Sequence, residues 1–193
     1  VTYLPGVIAL LALTGVARAD LILGAQVGQQ SLKIKQTDNL GNVYEDTADG
    51  DTSLGLIIGI GQAGAGGSRI TGEWSSFGIG GDADLNLLNV GYTGMLPALN
   101  SSSALKLRPF VGAELGYGWL DVDQQAFFNG GDDSGLIYGA RAGLNLAVTE
   151  RAEIEVGLRY SRVGLDAELP GSSPAHFDVE SNQGWWIGFN VGL

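Results

Sequence analysis

Residues 107–119 read LRPFVGAELGYGW, and their alternation carries the reading of the fold. Val111, Ala113, Leu115 and Tyr117 share one parity, while Phe110, Gly112, Glu114, Gly116 and Gly118 share the other. Period two is the signature of a strand, because successive side chains point to opposite faces of a pleated sheet. Residues 136–146 repeat it, with Tyr138, Ala140, Ala142, Leu144 and Leu146 against Gly139, Arg141, Gly143 and Asn145. Residues 152–163 set Ile154, Val156, Leu158 and Tyr160 against Glu153, Glu155, Gly157, Arg159 and Ser161. Residues 184–193 set Trp185, Ile187, Phe189, Val191 and Leu193 against Trp186, Gly188, Asn190 and Gly192. Residues 54–62 and 69–77 follow the same rule, and 21–35 and 84–95 follow it more weakly, which makes eight strands.

The sense of the alternation selects the solvent. A soluble sandwich points large apolar residues at a shared core. Here the polar parity carries Arg69, Glu73, Glu114, Arg141, Glu155 and Arg159 in mid-strand, among many of the chain's 32 glycines. Apolar faces turned to lipid and small or charged faces turned to a narrow lumen describe a membrane barrel. Closure removes every sheet edge, as lipid requires. The fold class expected is therefore all-β, an eight-stranded antiparallel up-and-down transmembrane β-barrel. Ten strands result only if Val43–Tyr44 and Phe127–Phe128 belong to further strands.

Composition excludes other classes. The chain has no Cys and one His, so thiolate and His-cluster metal sites are absent, and neither a metal nor a cofactor is expected. A net charge of −11 disfavours nucleic acid as a partner. Residues 1–19, VTYLPGVIALLALTGVARA, read as a signal peptide cleaved after Ala19, which leaves residues 20–193 as the barrel domain. An N-terminal core helix is the alternative for that segment. The connections alternate between short (63–68, 96–103, 147–151) and long (36–51, 78–83, 120–135, 164–179). That pattern predicts short periplasmic turns, long outer loops and both termini on the periplasmic side.

The segment LRPFVGAELGYG, the stretch IYGARAGLNLAVTERAEIEVGLRYSRV and the closing GWWIGFNVGL together resemble the small outer-membrane β-barrels of the OmpA/OmpX-like family. The resemblance implies export to a Gram-negative outer membrane, contact with its lipid and lipopolysaccharide, and a monomeric barrel. It also implies delivery to the barrel-assembly machinery through the last strand, from Gly184 to Leu193. Roles in such a family span anchoring, adhesion, stress protection and lipid A modification.

The candidate site is a lumen ion-pair network of Glu114, Arg141, Glu155, Arg159, Glu73 and Arg69. If Tyr117 faces Tyr138, then Glu114 faces Arg141, with Glu155 and Arg159 diagonal to it and Arg69 and Glu73 elsewhere on the wall. Tyr92, Phe110, Trp119, Tyr138 and Tyr160 are expected to form aromatic belts at the two membrane surfaces. The long loops are acidic, with Asp38, Glu45, Asp46, Asp49 and Asp51 in the first. Such loops either hold divalent cations against lipopolysaccharide phosphates or simply keep a crowded surface soluble. His176, beside Ser172, Ser173 and Asp178, is the only general base of histidine type, but a His-x-Ser strand motif is missing. The function expected is a non-enzymatic structural or surface-interaction role with a closed lumen. A narrow channel for small solutes and a lipid A-modifying enzyme are the alternatives.

Overall fold

The computed structural model describes residues 20–37, 40–61, 67–79, 83–100, 105–122, 131–169 and 175–193, with the side chains of 36, 122, 131, 166–169 and 175–177 left aside. Residues 1–19, expected to be a signal peptide, the pair Phe127–Phe128 and most of the glycine-rich turn at 62–67 lie outside these residues. Eight strands follow in order: β1 (Asp20–Thr37), β2 (Val43–Gly61), β3 (Ser68–Ile79), β4 (Ala83–Met95), β5 (Lys106–Val122), β6 (Gly131–Ala147), β7 (Ala152–Leu169) and β8 (Ala175–Gly192). Each pairs antiparallel with its neighbour in sequence, and β8 closes on β1 through pairs such as Val27↔Ile187 and Gln29↔Trp185. The result is a closed barrel.

The strands are 12 to 19 residues long, whereas a tilted strand crosses a bilayer in roughly 9–11. The excess lies where the sequence predicts long loops. The connection expected at 36–51 shrinks to a turn between Thr37 and Val43, and the one expected at 164–179 shrinks to the segment between Leu169 and Ala175. Val43 and Tyr44 form the upper end of β2, not part of a further strand.

The reason is a change in the sense of the alternation along each strand. On β7, Glu153, Glu155, Arg159 and Ser161 point inward and Ile154, Val156, Leu158 and Tyr160 outward. Above this level Val163 and Leu165 point inward and Arg162 outward. On β1 the inner face passes from Gln26 and Gln30 to Leu32, while the outer face passes from Leu23 and Val27 to Gln29 and Lys33. On β4, Leu85 and Leu87 are buried above Asn89 and Thr93, and outward Asn86 stands above Val90. The lower barrel is polar inside and apolar outside, as lipid demands. The upper barrel is apolar inside and polar outside, as water demands. The level of inversion marks where the wall leaves the membrane.

The wall is not equally tall all round. β7 and β8 remain paired up to Leu169↔Ala175, and β1 and β2 up to Thr37↔Val43. The β3–β4 hairpin turns over at Ile79↔Ala83, and β2 pairs with β3 only as far as Gly50. Irregularities in register lie on this tall side, at Gln29/Ser31, Lys33/Ile34 and Arg162/Leu165, and at its border, at Gly50/Leu54 where β2 meets β3. Such bulges sharpen local bend and twist.

Inward glycines lie beneath large inward side chains. A methyl at Gly157 would run into the Trp186 ring, and one at Gly143 would stand 2.6 Å from Phe110 Cζ. Outward Gly72 has only Ile58 at 3.6 Å. We expect Gly157→Ala to cost about 1–3 kcal/mol, as overpacking does, and Gly72→Ala to leave stability unchanged or raised. Urea unfolding of the two variants in detergent checks this, and equal midpoints would sink it.

Candidate functional site: a two-layered lumen

The lower layer is built around Glu73 on β3, which is 2% exposed. Arg159 Nη2 donates to both of its carboxylate oxygens, at 2.5 and 2.7 Å. Arg141 Nη1 lies 3.5 Å from Glu73 Oε2, and Gln26 Nε2 donates to Glu73 Oε1 at 2.7 Å. Arg141 Nη2 also donates to Thr71 and Thr93, at 2.8 and 2.7 Å. Arg159 Nε stands 3.1 Å from Glu114 Oε1, which accepts from Ser161 Oγ at 3.0 Å. Closer to the turns, Arg69 bridges Glu153 and Glu155, and Asn190 Nδ2 donates to Glu153 at 3.2 Å. Arg159 also lies over the Trp186 ring, 5.3 Å from its centroid.

The buried charges balance. Arg69, Arg108, Arg141 and Arg159 stand with Glu73, Glu114, Glu153 and Glu155, and all eight are buried on the inner face. Charges removed from water are tolerable only when paired and hydrogen-bonded, and four arginines against four glutamates leave the set neutral in sum.

Glycines allow the long side chains to lie flat across the wall. Gly139 on β6 pairs with Glu114 on one side and Ser161 on the other, and Glu114 reaches over it to Ser161 and Arg159. Gly112 separates Arg141 from Thr93, and Arg141 crosses it to that threonine. A Cβ on Gly91 would sit 2.7 Å from Arg141 Nη2. The glycine parity is thus the space that the arginines occupy.

Three expectations about this set are corrected. Tyr117 pairs with Leu136 and Tyr138 with Leu115, so Glu114 lies opposite Gly139, and Arg141 lies opposite Gly112. The hairpin register is offset by two residues from the expected one, which keeps every side chain on its face but changes its partner. Arg141 is level with Arg159 and Asn145 with Glu155, so neither Glu155 nor Arg159 is diagonal to Arg141. Arg69 and Glu73 are not apart from the network: Glu73 is its centre, and Arg69 holds Glu155. Glu153 was missed as a member, although it shares the parity of Glu155.

The upper layer is apolar. Leu32, Phe77, Leu85, Leu87, Leu120, Ile137, Val163, Leu165 and Val179 form one buried cluster drawn from all strands but β2. It fills the inside of the barrel above the charged layer. The sequence carries a signal for it, in the polar residues Asn86 and Arg162 that sit on the outward parity beside Leu87 and Val163.

Of the aromatics, Tyr92, Trp119, Tyr138 and Tyr160 stand on the outer face, with Trp119 edge-on to Tyr117 at 5.2 Å. Phe110 does not: it is 1% exposed, inside the lumen, 6.2 Å from the Trp186 ring. Its parity is that of Glu114, and strand parity overrides proximity to a turn. His176 pairs through its backbone with Thr37 and Glu168, and its side chain, like Ser172 and Ser173, lies outside the described residues. Among the described residues no three acidic or histidine side chains converge to hold a metal. In the first hairpin Lys33 lies 2.9 Å from Glu45 and 3.0 Å from Glu180. Hydrogen bonds to these two carboxylates raise the Lys33 pKa, and the same lysine lowers that of Glu45.

A closed, all-antiparallel eight-stranded barrel with an apolar outer band and a charged, filled interior defines the class: the fold of the small outer-membrane barrels. No family model matches the chain, and no curated protein matches it in sequence. Among solved structures it is similar to neisserial surface protein A (NspA), with a TM-score of 0.62 and 16% identity over 91% of this chain and 99% of that one. It is also similar to the outer membrane protein OprG of Pseudomonas aeruginosa, with a TM-score of 0.55 and 20% identity over 91% and 95% of the two chains.

Proposed function

We propose that the protein is an integral outer-membrane barrel with a non-enzymatic role exerted at its outer wall and hairpins, and that its lumen carries no solute. The apolar cluster across the upper lumen carries this reading. Leu32, Leu85, Ile137 and Leu165 are each 0% exposed, so no aqueous gap separates them. Dehydrated apolar contact is a barrier to ions and polar solutes. Below it, the carboxylates of Glu73, Glu114, Glu153 and Glu155 each meet an arginine or an amide or hydroxyl donor, which suits structural cohesion better than proton transfer. The acidic β1–β2 hairpin and the tall β7–β8–β1–β2 wall are then the surfaces offered to partners, with β8 as the strand presented to the assembly machinery.

A planar-bilayer recording tests the proposal. The expected result is an absence of stable unitary conductance in the wild type. Steps of reproducible size that vanish on heat denaturation would overturn it and establish the channel reading. Mass spectrometry of lipid A from cells with and without the protein tests the enzymatic alternative, and a modified lipid A species that depends on the protein would establish it.

A further inference from the structure

A groove of about 470 Å³ lies on the outer face of the tall wall, at the level where polarity inverts. Two rows of cross-strand neighbours line it. The upper row runs Tyr160, Gln183, Ser31 and Asp49, across β7, β8, β1 and β2. The lower row runs Leu158, Trp185 and Gln29. Tyr160 and Trp185 are half exposed there, at 49% and 45%. With neighbouring strands about 4.8 Å apart, four strands give a width of roughly 14 Å. That is broad enough for linked sugar rings and wider than a single phosphodiester needs.

The chemistry of the lining is graded. Leu158, Tyr160 and Trp185 stand on β7 and β8, and the amide of Gln29 and the hydroxyl–carboxylate pair Ser31–Asp49 stand on β1 and β2, with the amide of Gln183 between them. Ser31 Oγ donates to Asp49 Oδ1 at 2.8 Å. Aromatic faces beside amide, hydroxyl and carboxylate groups suit the apolar faces and hydroxyls of a carbohydrate. One outward position above Tyr160 stands Arg162, whose exposed guanidinium has no hydrogen bond or ion pair among the described residues. Across β8 from it is Lys33, whose charge is already committed to Glu45 and Glu180. In a chain of net charge −11, the basic side chains described on the water side of the inversion are Lys33, Lys35 and Arg162, and all three lie on this wall.

We infer that this groove binds the phosphorylated sugar headgroup of an outer-leaflet glycolipid of the lipid A type, with sugar rings over Trp185 and Tyr160 and a phosphate at Arg162. The inference rests on the outer-membrane placement proposed above. Asp49 disfavours a phosphate at the β2 end of the groove and accepts sugar hydroxyls there, so the headgroup is oriented along it. Its acyl chains would continue down the outward apolar faces of β7 and β8.

Native mass spectrometry of the folded protein, released from detergent with purified lipid A added, tests this. A 1:1 adduct is expected for the wild type. Trp185→Ala should weaken it by about tenfold, the loss of one good contact. Arg162→Gln should weaken it by about threefold to tenfold, as for one exposed charge pair. Dephosphorylated lipid A should bind the wild type as weakly as phosphorylated lipid A binds Arg162→Gln, and that variant should no longer distinguish the two. Trp74→Ala, on the outer face of β3, should change nothing. Equal affinity of all variants would overturn the inference, and so would phosphatidylglycerol binding as tightly as lipid A. Heat-dependent gel mobility confirms that each variant is folded. A folded, non-conducting barrel that fails to select lipid A would refute the groove assignment while leaving the closed-barrel reading intact.

Discussion

Replacing Glu73 by Ala is expected to lower the free energy of unfolding by about 3–5 kcal/mol, the cost of stripping the partner from a buried charge. Glu73 serves two arginines, at 2.5 Å to Arg159 and 3.5 Å to Arg141. Its removal leaves both guanidinium groups inside a closed barrel with one charge too many. Arg159 retains Glu114 at 3.1 Å, so it is partly compensated, whereas Arg141 falls back on the hydroxyls of Thr71 and Thr93. Glu114→Ala should cost less, because Arg159 then keeps both oxygens of Glu73. A Glu73→Leu, Arg159→Met double variant should recover part of the loss, since removing both partners is far cheaper than removing one. Equilibrium urea unfolding in detergent or vesicles measures the series. A Glu73→Ala midpoint equal to that of the wild type would mean that the lumen charges are separately hydrated.

The second large effect separates faces and levels on one strand. On β4, Val90 is an outward residue in the lipid band and 59% exposed, Asn86 is outward above it, and Leu87 is inward and 1% exposed. Val90→Arg should cost about 2–4 kcal/mol in vesicles, as a cation at bilayer depth does, and Asn86→Arg about 0–1, as one near the interface does. Leu87→Arg should cost about 3–5 kcal/mol, because its charge would enter the dry layer with no carboxylate to meet it. A barrel with a polar lumen throughout would rank Leu87→Arg as mild. That ranking, read from unfolding midpoints in vesicles, would contradict the apolar upper layer.

Strand parity was legible because it is local. Which residues of 107–119 or 152–163 share a face depends only on the pleat, and a register error of two residues leaves it unchanged. The placing of Glu114, Arg141 and Arg159 on the inner wall therefore followed from sequence, and the burial of Phe110 follows from the same parity once turn proximity is set aside. The upper halves of the strands were harder to read for a definite reason. Their period is still two, but Val163 and Leu165 turn inward where Ile154 and Val156 turn outward. A reading that follows apolar residues on one parity sees the pattern stop and places a loop there.

By itself the sequence determined an eight-stranded barrel, the faces of its strands and the gathering of charge and glycine on the inner one, since these need no knowledge of what lies across the lumen. Only the tertiary structure decided the partners: Glu73 with Arg159, 86 residues away, Arg69 with Glu153 and Glu155, and the apolar seal above them. Closure brings opposite walls together at separations and staggers set by the accumulated registers of all the strand pairs, and no local period records that sum.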